Sequence, residues 1–320
     1  MPIHPTRRHM IALTGAALWA GPARAQIPAT QTIEGRAFAS HWRITARASL
    51  ERHRTAIDAI LGGVDREMSP WRDDSDITRF NRSARETAVP LACAKVARAA
   101  LEIARSSGGW FDPTVGPLVA QWGFGQITGT GAGHWQGLAA GESSLRKDSP
   151  GLTMDLCGIA KGYALDRIAA HLLDNGAQDF LIDLGGEVRA QGLHPSGRPW
   201  QVAGEAPREN SNGTAGGLRL PSGLSVATSG LRAQSYALGG QLYGHIIDPY
   251  HARPAQSRLA SVSVMDASAM QADGWATALM SAGDAGPDLA RAHGLVALFL
   301  VRTDAGLTTQ TTGGFDRHLI

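Results

Sequence analysis

"DLCGIAKGYALDRIAAHLLDNGAQDFLIDLGGEVRAQG", residues 155–192, joins a helical pattern to a strand pattern. Ile159, Tyr163, Ile168, Leu172 and Leu173 recur on one stripe, so the stretch begins as a turn and continues as a helix. Gly176 stands where a left-handed residue would end that helix. Residues 179–192 then read as a buried strand broken at Gly185-Gly186.

The same interspersion continues outward. Upstream, residues 34–49 alternate as a strand, and 51–71 carry Ile57, Ile60, Leu61 and Val64 on one helical stripe that Pro70 ends. Residues 89–109 form the clearest helix, with Val89, Val96, Ala100 and Ile103 apolar and Gly108-Gly109 as the stop. Residues 127–144 are rich in Gly and Ser. Their spaced glycines suggest a dinucleotide loop, but no strand precedes and no helix follows, so a flexible loop is expected. Downstream, 194–200 read as a hairpin turn, 210–217 as a loose loop, 258–268 as a strand, 269–283 as a helix and 294–302 as a last buried strand. The fold class that follows is α+β, with mixed, largely antiparallel sheets packed with helices and no internal repeat.

The 320 residues, 43% of them hydrophobic, suffice for one large domain or two intimate ones. Abundant glycine (39) and scarce aromatics (6%) exclude a coiled coil or a disordered tail. Residues 1–25 read as an export signal of the twin-arginine type. Arg7-Arg8 precede an apolar run from Met10 to Ala20, and Ala23-Arg24-Ala25 is a cleavage site. That run is too short to span a bilayer, no other segment is long and apolar enough, and a periplasmic location is expected. The signal carries Arg7, Arg8 and Arg24 and no acid, which leaves 27 basic of 30 against 28 acidic residues. The mature chain is therefore near neutral, and nothing in its charge favours nucleic acid. Two cysteines, Cys93 and Cys157, are expected as buried free thiols.

Four stretches place polar residues in awkward surroundings. Asp112 follows two aromatics and precedes Pro113, where a turn-capping role is the plain alternative. Asp155 lies before a helix N-terminus, which favours anions, and Lys161 follows a turn and a half later. Asp273 and Thr277 are four apart, so a carboxylate and a hydroxyl share one helix face and suit a hard cation such as Mg²⁺. A surface Asp-Thr pair is the plain alternative there. Finally, "SGLRAQSYALGGQLYGHIIDPYHARPA" (229–255) leads from a Gly-rich turn into a short apolar strand. That strand ends on His245, Ile246, Ile247 and Asp248 and is stopped by Pro249. A strand-end histidine bonded to a backbone carbonyl is the plain reading of His245.

Seven motifs in serial order resemble those of the ApbE family of FAD:protein FMN transferases. They are "MSPWRDDSDITRFNRS" (68–83), "FDPTVGPLVAQWGFG" (111–125), "DLCGIAKGYALDRIA" (155–169), "LIDLGGEVRAQG" (181–192), "ATSG" (227–230), "HIIDP" (245–249) and "QADGWATAL" (271–279). The resemblance covers most of the mature chain and implies one ApbE-like, T-fold-like domain over residues 26–320. It implies that Phe38 and Trp71 flank the isoalloxazine ring, with Trp110, Phe111 and Asp112 lining the same pocket. Asp155 and Lys161 would contact FAD, with Lys161 near the pyrophosphate, and Ile247 would pack on the flavin. The Gly158 carbonyl, Asp273 and Thr277 would hold Mg²⁺. His245 would be the general base, with Asp248 orienting it or sharing the task.

The implied reaction is attack by a Ser or Thr hydroxyl of a redox flavoprotein on FAD, with AMP leaving. The target is expected to carry Asp-x-x-[Ser/Thr]-Gly-Ala-[Ser/Thr], and "ALTGAA" (12–17) lacks the aspartate and the last hydroxyl. An FAD pyrophosphatase and an exported, non-catalytic FAD carrier are the alternatives. The chain departs from the pattern at Ala276, where some relatives carry a second acid. It departs also at Cys157, and at Leu231-Arg232-Ala233 after "ATSG".

Overall fold

The computed structural model describes residues 30–203, 217–232 and 234–320, so the segment read as an export signal and most of the segment read as the 210–217 loop lie outside the described residues. Its centre is an eight-stranded sheet. In spatial order the strands are Gln31–Ala37, Ser40–Ala46, Phe180–Leu184, Glu187–Gln191, Ser225–Gly230, Leu259–Asp266, Val296–Thr303 and Gly306–Thr312. Every neighbouring pair is antiparallel. The α+β expectation therefore holds, and the sheet is antiparallel throughout rather than mixed.

Four helices, Arg54–Met68, Leu91–Ser106, Cys157–Asp174 and Ala269–Ser281, provide the main helical packing of the larger core. The strands divide their side chains with period two. Ala227, Val262 and Val264 join that core, while Val226 and Met265 point to the opposite face. There a smaller cluster forms with Trp200, Leu218, Leu220 and Phe315 beneath the antiparallel strand pair Trp200–Ala203 and Gly217–Leu220. Ile159, Leu165, Ile168 and Leu172 are wholly buried on one helix, and each such side chain contributes about 1.5–3 kcal/mol.

Two contacts lock the helices that matter for the site. The Asp166 carboxylate accepts the Ser268 hydroxyl (2.8 Å) and the Ala269 (2.9 Å) and Met270 (3.1 Å) amides. It thereby caps the helix Ala269–Ser281 from outside, where a negative charge is favoured. Gly162 lets the two helices touch. A Cβ there would stand 2.2 Å from the Ala269 carbonyl oxygen, so any larger residue would push the helices apart.

Several sequence expectations are corrected. Residues 34–49 are two strands, because Phe38 (φ 51°) and Ala39 (φ 57°) make a left-handed turn without glycine. Such a turn carries no sequence signal. Residues 179–192 are a hairpin rather than one broken strand, with Gly185 (φ 65°) and Gly186 (φ 107°) as its turn. The 127–144 segment holds the short strand Leu138–Ala140, which pairs with Ser144–Lys147. The 194–198 turn forms, but the strand after it pairs with Gly217–Leu220 instead of folding back. Val296–Thr303 is followed by one more strand.

Candidate functional site

The sheet and helices enclose one side of a cavity of about 1310 Å³. Its walls include Phe38, Trp71, Trp110, Phe111, Asp112, Asp155, Gly158, Lys161, His245, Ile247, Asp273 and Thr277. Asp248 is the one candidate residue outside these walls.

The route to Asp155 is rigid. The buried Lys147 ammonium donates to the carbonyls of Asn81 (2.9 Å), Pro150 (3.0 Å) and Leu152 (2.9 Å), and burial lowers its pKa. The Asn81 side chain brackets Met154 with two further bonds. The Asp155 amide then donates to the Pro113 carbonyl at 2.7 Å, tying two motifs together. The Asp155 carboxylate accepts the Cys157 amide at 2.9 Å, at the start of the helix. Asp112 behaves as a turn cap, because its Oδ1 accepts the Thr114 amide (2.7 Å) and hydroxyl (2.5 Å). Burial pushes its carboxyl up, and the Thr114 bonds oppose that.

Asp273 is not on the surface. It is only 4% exposed, and its Oδ2 accepts the Gly162 amide at 3.0 Å. Thr277 donates to the Gly158 carbonyl at 3.3 Å and lies 3.4 Å from the Ser229 hydroxyl. Burial pushes the Asp273 carboxyl up, opposed by Lys161. A cation beside it would favour the ionised form. Among the described residues no group of three or more His, Cys, Asp or Glu side chains is placed to hold a metal. One carboxylate with a hydroxyl and a carbonyl is a hard-oxygen set. Such a set would fit a hard cation such as Mg²⁺. Ala276, three residues after Asp273, is buried.

Sequence reasoning gave no role to Glu187, although it lies in a quoted motif. It is 2% exposed, and its Oε1 accepts the Lys161 ammonium at 2.7 Å. Burial pushes the Glu187 carboxyl up. Desolvation works against the Lys161 charge, but Glu187 and Asp273 outweigh it and hold the ammonium above its ordinary pKa. Lys161 is therefore a fixed positive charge between two carboxyl groups. Only the pairing of the hairpin with the helix could reveal this.

The aromatic candidates differ in burial. Phe111 is buried, Phe38 and Trp110 are half-buried, and Trp71 is 60% exposed beyond the end of its helix. Tyr250 packs against Trp110 with ring centroids 4.6 Å apart. Cys93 is a buried free thiol, pushed up to about 12 by burial. Cys157 corrects the expectation of two buried thiols. It is exposed to the cavity, walled in by protein that pushes its pKa up, with Asp155 adding to the shift.

His245 Nδ1 lies 3.2 Å from the Gln234 carbonyl oxygen. A carbonyl only accepts, so Nδ1 carries the proton and Nε2 presents a lone pair. Desolvation lowers the His245 pKa. The Gln234 bond opposes this, and Lys161 and Asp155 act in opposite senses. The expected link from Asp248 to His245 is corrected. The Asp248 carboxylate accepts the Tyr250 (2.9 Å) and His251 (3.1 Å) amides and lies 2.7 Å from His251 Nδ1. A local turn captures it before it can reach His245.

Residues 38–299 match the ApbE family. The FAD:protein FMN transferase of Vibrio cholerae is 35% identical over 83% of this chain and 84% of its own length. That of Salmonella typhimurium is 32% identical over 92% of this chain and 90% of its own. The solved structure of the flavin transferase ApbE from Vibrio cholerae superposes with a TM-score of 0.81 at 32% identity, covering 91% of this chain and all of that one. Similarity of this extent, carried by both sequence and fold, means that the chain belongs to the ApbE family.

Proposed function

We propose that this protein is an FAD:protein FMN transferase that uses Mg²⁺ and acts on an exported or membrane-bound redox flavoprotein. The observation that carries the reading is one cavity in which aromatic walls meet Lys161, Asp273, Thr277 and a His245 whose Nδ1 faces the Gln234 carbonyl. The acceptor Ser or Thr oxygen forms a bond to the FMN-side phosphorus of FAD. The bond from that phosphorus to the AMP-side oxygen breaks, and AMP leaves.

His245 Nε2 takes the hydroxyl proton, since its lone pair is free and its lowered pKa keeps the ring neutral. Lys161, held charged by Glu187, offsets the negative charge of the pyrophosphate. Asp273, Thr277 and the Gly158 carbonyl would hold Mg²⁺, which when bound neutralises charge on the phosphate oxygens. Asp155, Asp112, Phe38, Trp110, Phe111 and Ile247 shape the wall against the flavin. The twin arginines and the cleavage site support a periplasmic location.

The test mixes the mature protein with FAD, Mg²⁺ and a protein tagged with an Asp-x-x-Thr-Gly-Ala-Thr segment. The expected result is a mass gain of one FMN on the tag, with one AMP released. AMP without the mass gain would identify an FAD pyrophosphatase, and neither product would identify a carrier.

Trp71 gives a separate check on the flavin wall. Its exposed ring is free to stack, and such contacts are worth about 1 kcal/mol beyond burial. Trp71→Ala should weaken FAD binding about fivefold, a free-energy loss of about 1 kcal/mol, and reduce the quenching of flavin fluorescence. Parental affinity in that variant would remove Trp71 from the flavin site.

A further inference from the structure

We propose that an aromatic ladder beside His245 is the docking surface for the acceptor polypeptide, a proposal that rests on the transferase reading above. Phe124 lines the cavity and stands edge-on to His245, with ring centroids 6.3 Å apart. From Phe124 the ladder leads outward. Phe124 stacks on Tyr236 at 5.3 Å, Tyr236 on Tyr243 at 5.8 Å, and Tyr243 on Trp122 at 5.4 Å. The planes of each stacked pair lie within 26° of parallel. The Tyr236 hydroxyl donates to the Trp122 carbonyl at 3.3 Å.

Two of the ladder's rings, Tyr236 and Tyr243, sit on the hairpin Ser235–Leu238/Gln241–Gly244, which pairs with no other strand among the described residues, and Trp122 and Phe124 come from the segment that follows the helix Gly116–Gln121. A two-stranded hairpin alone is marginal in water, and these rings secure it. Its outer side nevertheless stays open, with Tyr236 38% and Leu238 65% exposed. Aromatic side chains are enriched at protein–protein contacts.

The occupant follows from the geometry of the reaction. The strand Gln241–Gly244 runs directly into His245. The acceptor hydroxyl must come within about 3 Å of Nε2 to give up its proton. The cavity that His245 lines also holds Lys161 and Asp273, which serve the pyrophosphate on the transferase reading. The residues flanking the acceptor hydroxyl therefore leave on the outer side, over Phe124 and Tyr236. The unpaired edges of the hairpin offer main-chain donors and acceptors to an extended segment.

The test is steady-state transfer to the tagged acceptor at saturating FAD, with FAD affinity and hydrodynamic size measured on the same samples. Tyr236→Ser combined with Leu238→Ser should raise the acceptor KM about tenfold or more, as expected when interface anchors are truncated. FAD affinity should stay at the parental value, and in Leu238→Ser alone, which leaves the stacked rings in place, kcat should stay parental as well. Tyr236→Phe, which keeps the ring, and Leu91→Ser, an exposed apolar control on the helix Leu91–Ser106, should leave the KM within about twofold, a difference well below one anchor's share. If the double variant melts early, Leu238→Ser alone should still raise the KM. An unchanged acceptor KM overturns the proposal, as does an equal loss in Tyr236→Phe. A parallel fall in FAD affinity would assign the ladder to FAD, and a change in hydrodynamic size would assign it to a second copy of the chain. Either result overturns the proposal. A parent protein that transfers no FMN at all defeats the transferase reading itself, and this proposal with it.

Discussion

His245→Asn should lower FMN transfer by roughly 10²–10⁴-fold, the range for loss of a general base, with FAD affinity nearly unchanged. The structure supplies the reason for that split. The Nδ1 proton is committed to the Gln234 carbonyl, so the one free function of the ring is the Nε2 lone pair. On the proposed mechanism that lone pair serves the attacking hydroxyl and not the resting flavin. The sign of the pH dependence follows from the direction of the shift. Desolvation lowers the His245 pKa, so the active neutral form dominates above it and is lost as pH falls through it. The transfer rate should rise with pH along a limb lying below the ordinary histidine value. That limb should be missing in the asparagine variant. Transfer at the parental rate in His245→Asn would return the residue to a structural role. Asp248 is a poor replacement, because the Tyr250 and His251 amides and the His251 ring already occupy it.

Removing the Asp273 carboxylate should have a comparable effect through charge. Asp273→Ala should reduce transfer at limiting Mg²⁺ by roughly 10²-fold or more, since metal charge stabilisation is worth several kcal/mol. The alanine also deprives the Gly162 amide of its acceptor. Asp273→Asn is therefore the cleaner variant, because it keeps an oxygen for Gly162 and loses only the negative charge. The asparagine protein should melt near the parental temperature and still lose Mg²⁺-dependent activity. Binding of Mn²⁺ as a paramagnetic probe should weaken in step. Full activity of either variant at limiting Mg²⁺, or unchanged Mn²⁺ binding, would remove Asp273 from the metal site.

The local patterns in this chain were readable without a structure. The stripe on Cys157–Asp174 and those on Arg54–Met68 and Leu91–Ser106 follow from helical periodicity, which needs no distant partner. The pairing of Asp273 with Thr277 followed from the same geometry, because residues four apart share a helix face. The family motifs added the candidate walls of the cavity.

Other features depended on contacts between remote segments. The strand Ser40–Ala46 pairs with Phe180–Leu184 across more than a hundred residues, and no local signal specifies that partner. The turn at Phe38–Ala39 uses left-handed backbone without glycine, so it reads as continuous strand. Glu187 acquires its meaning from the Gly185-Gly186 turn, which folds its strand back beside the helix bearing Lys161. Whether Asp273 was buried or exposed was equally undecided by spacing. The Asp166 cap and the close approach at Gly162 set one helix against the other and bury the carboxylate. The spacing of Asp248 three residues beyond His245 left their contact open, and folding resolved it the other way. A carboxylate bonds to the nearest donors its backbone presents, and the 248–251 turn presents two amides at once. Local spacing and motif order were enough to nominate the candidate residues. Which of them face one another came from folding, because burial and charge pairing arise only when distant segments are packed together.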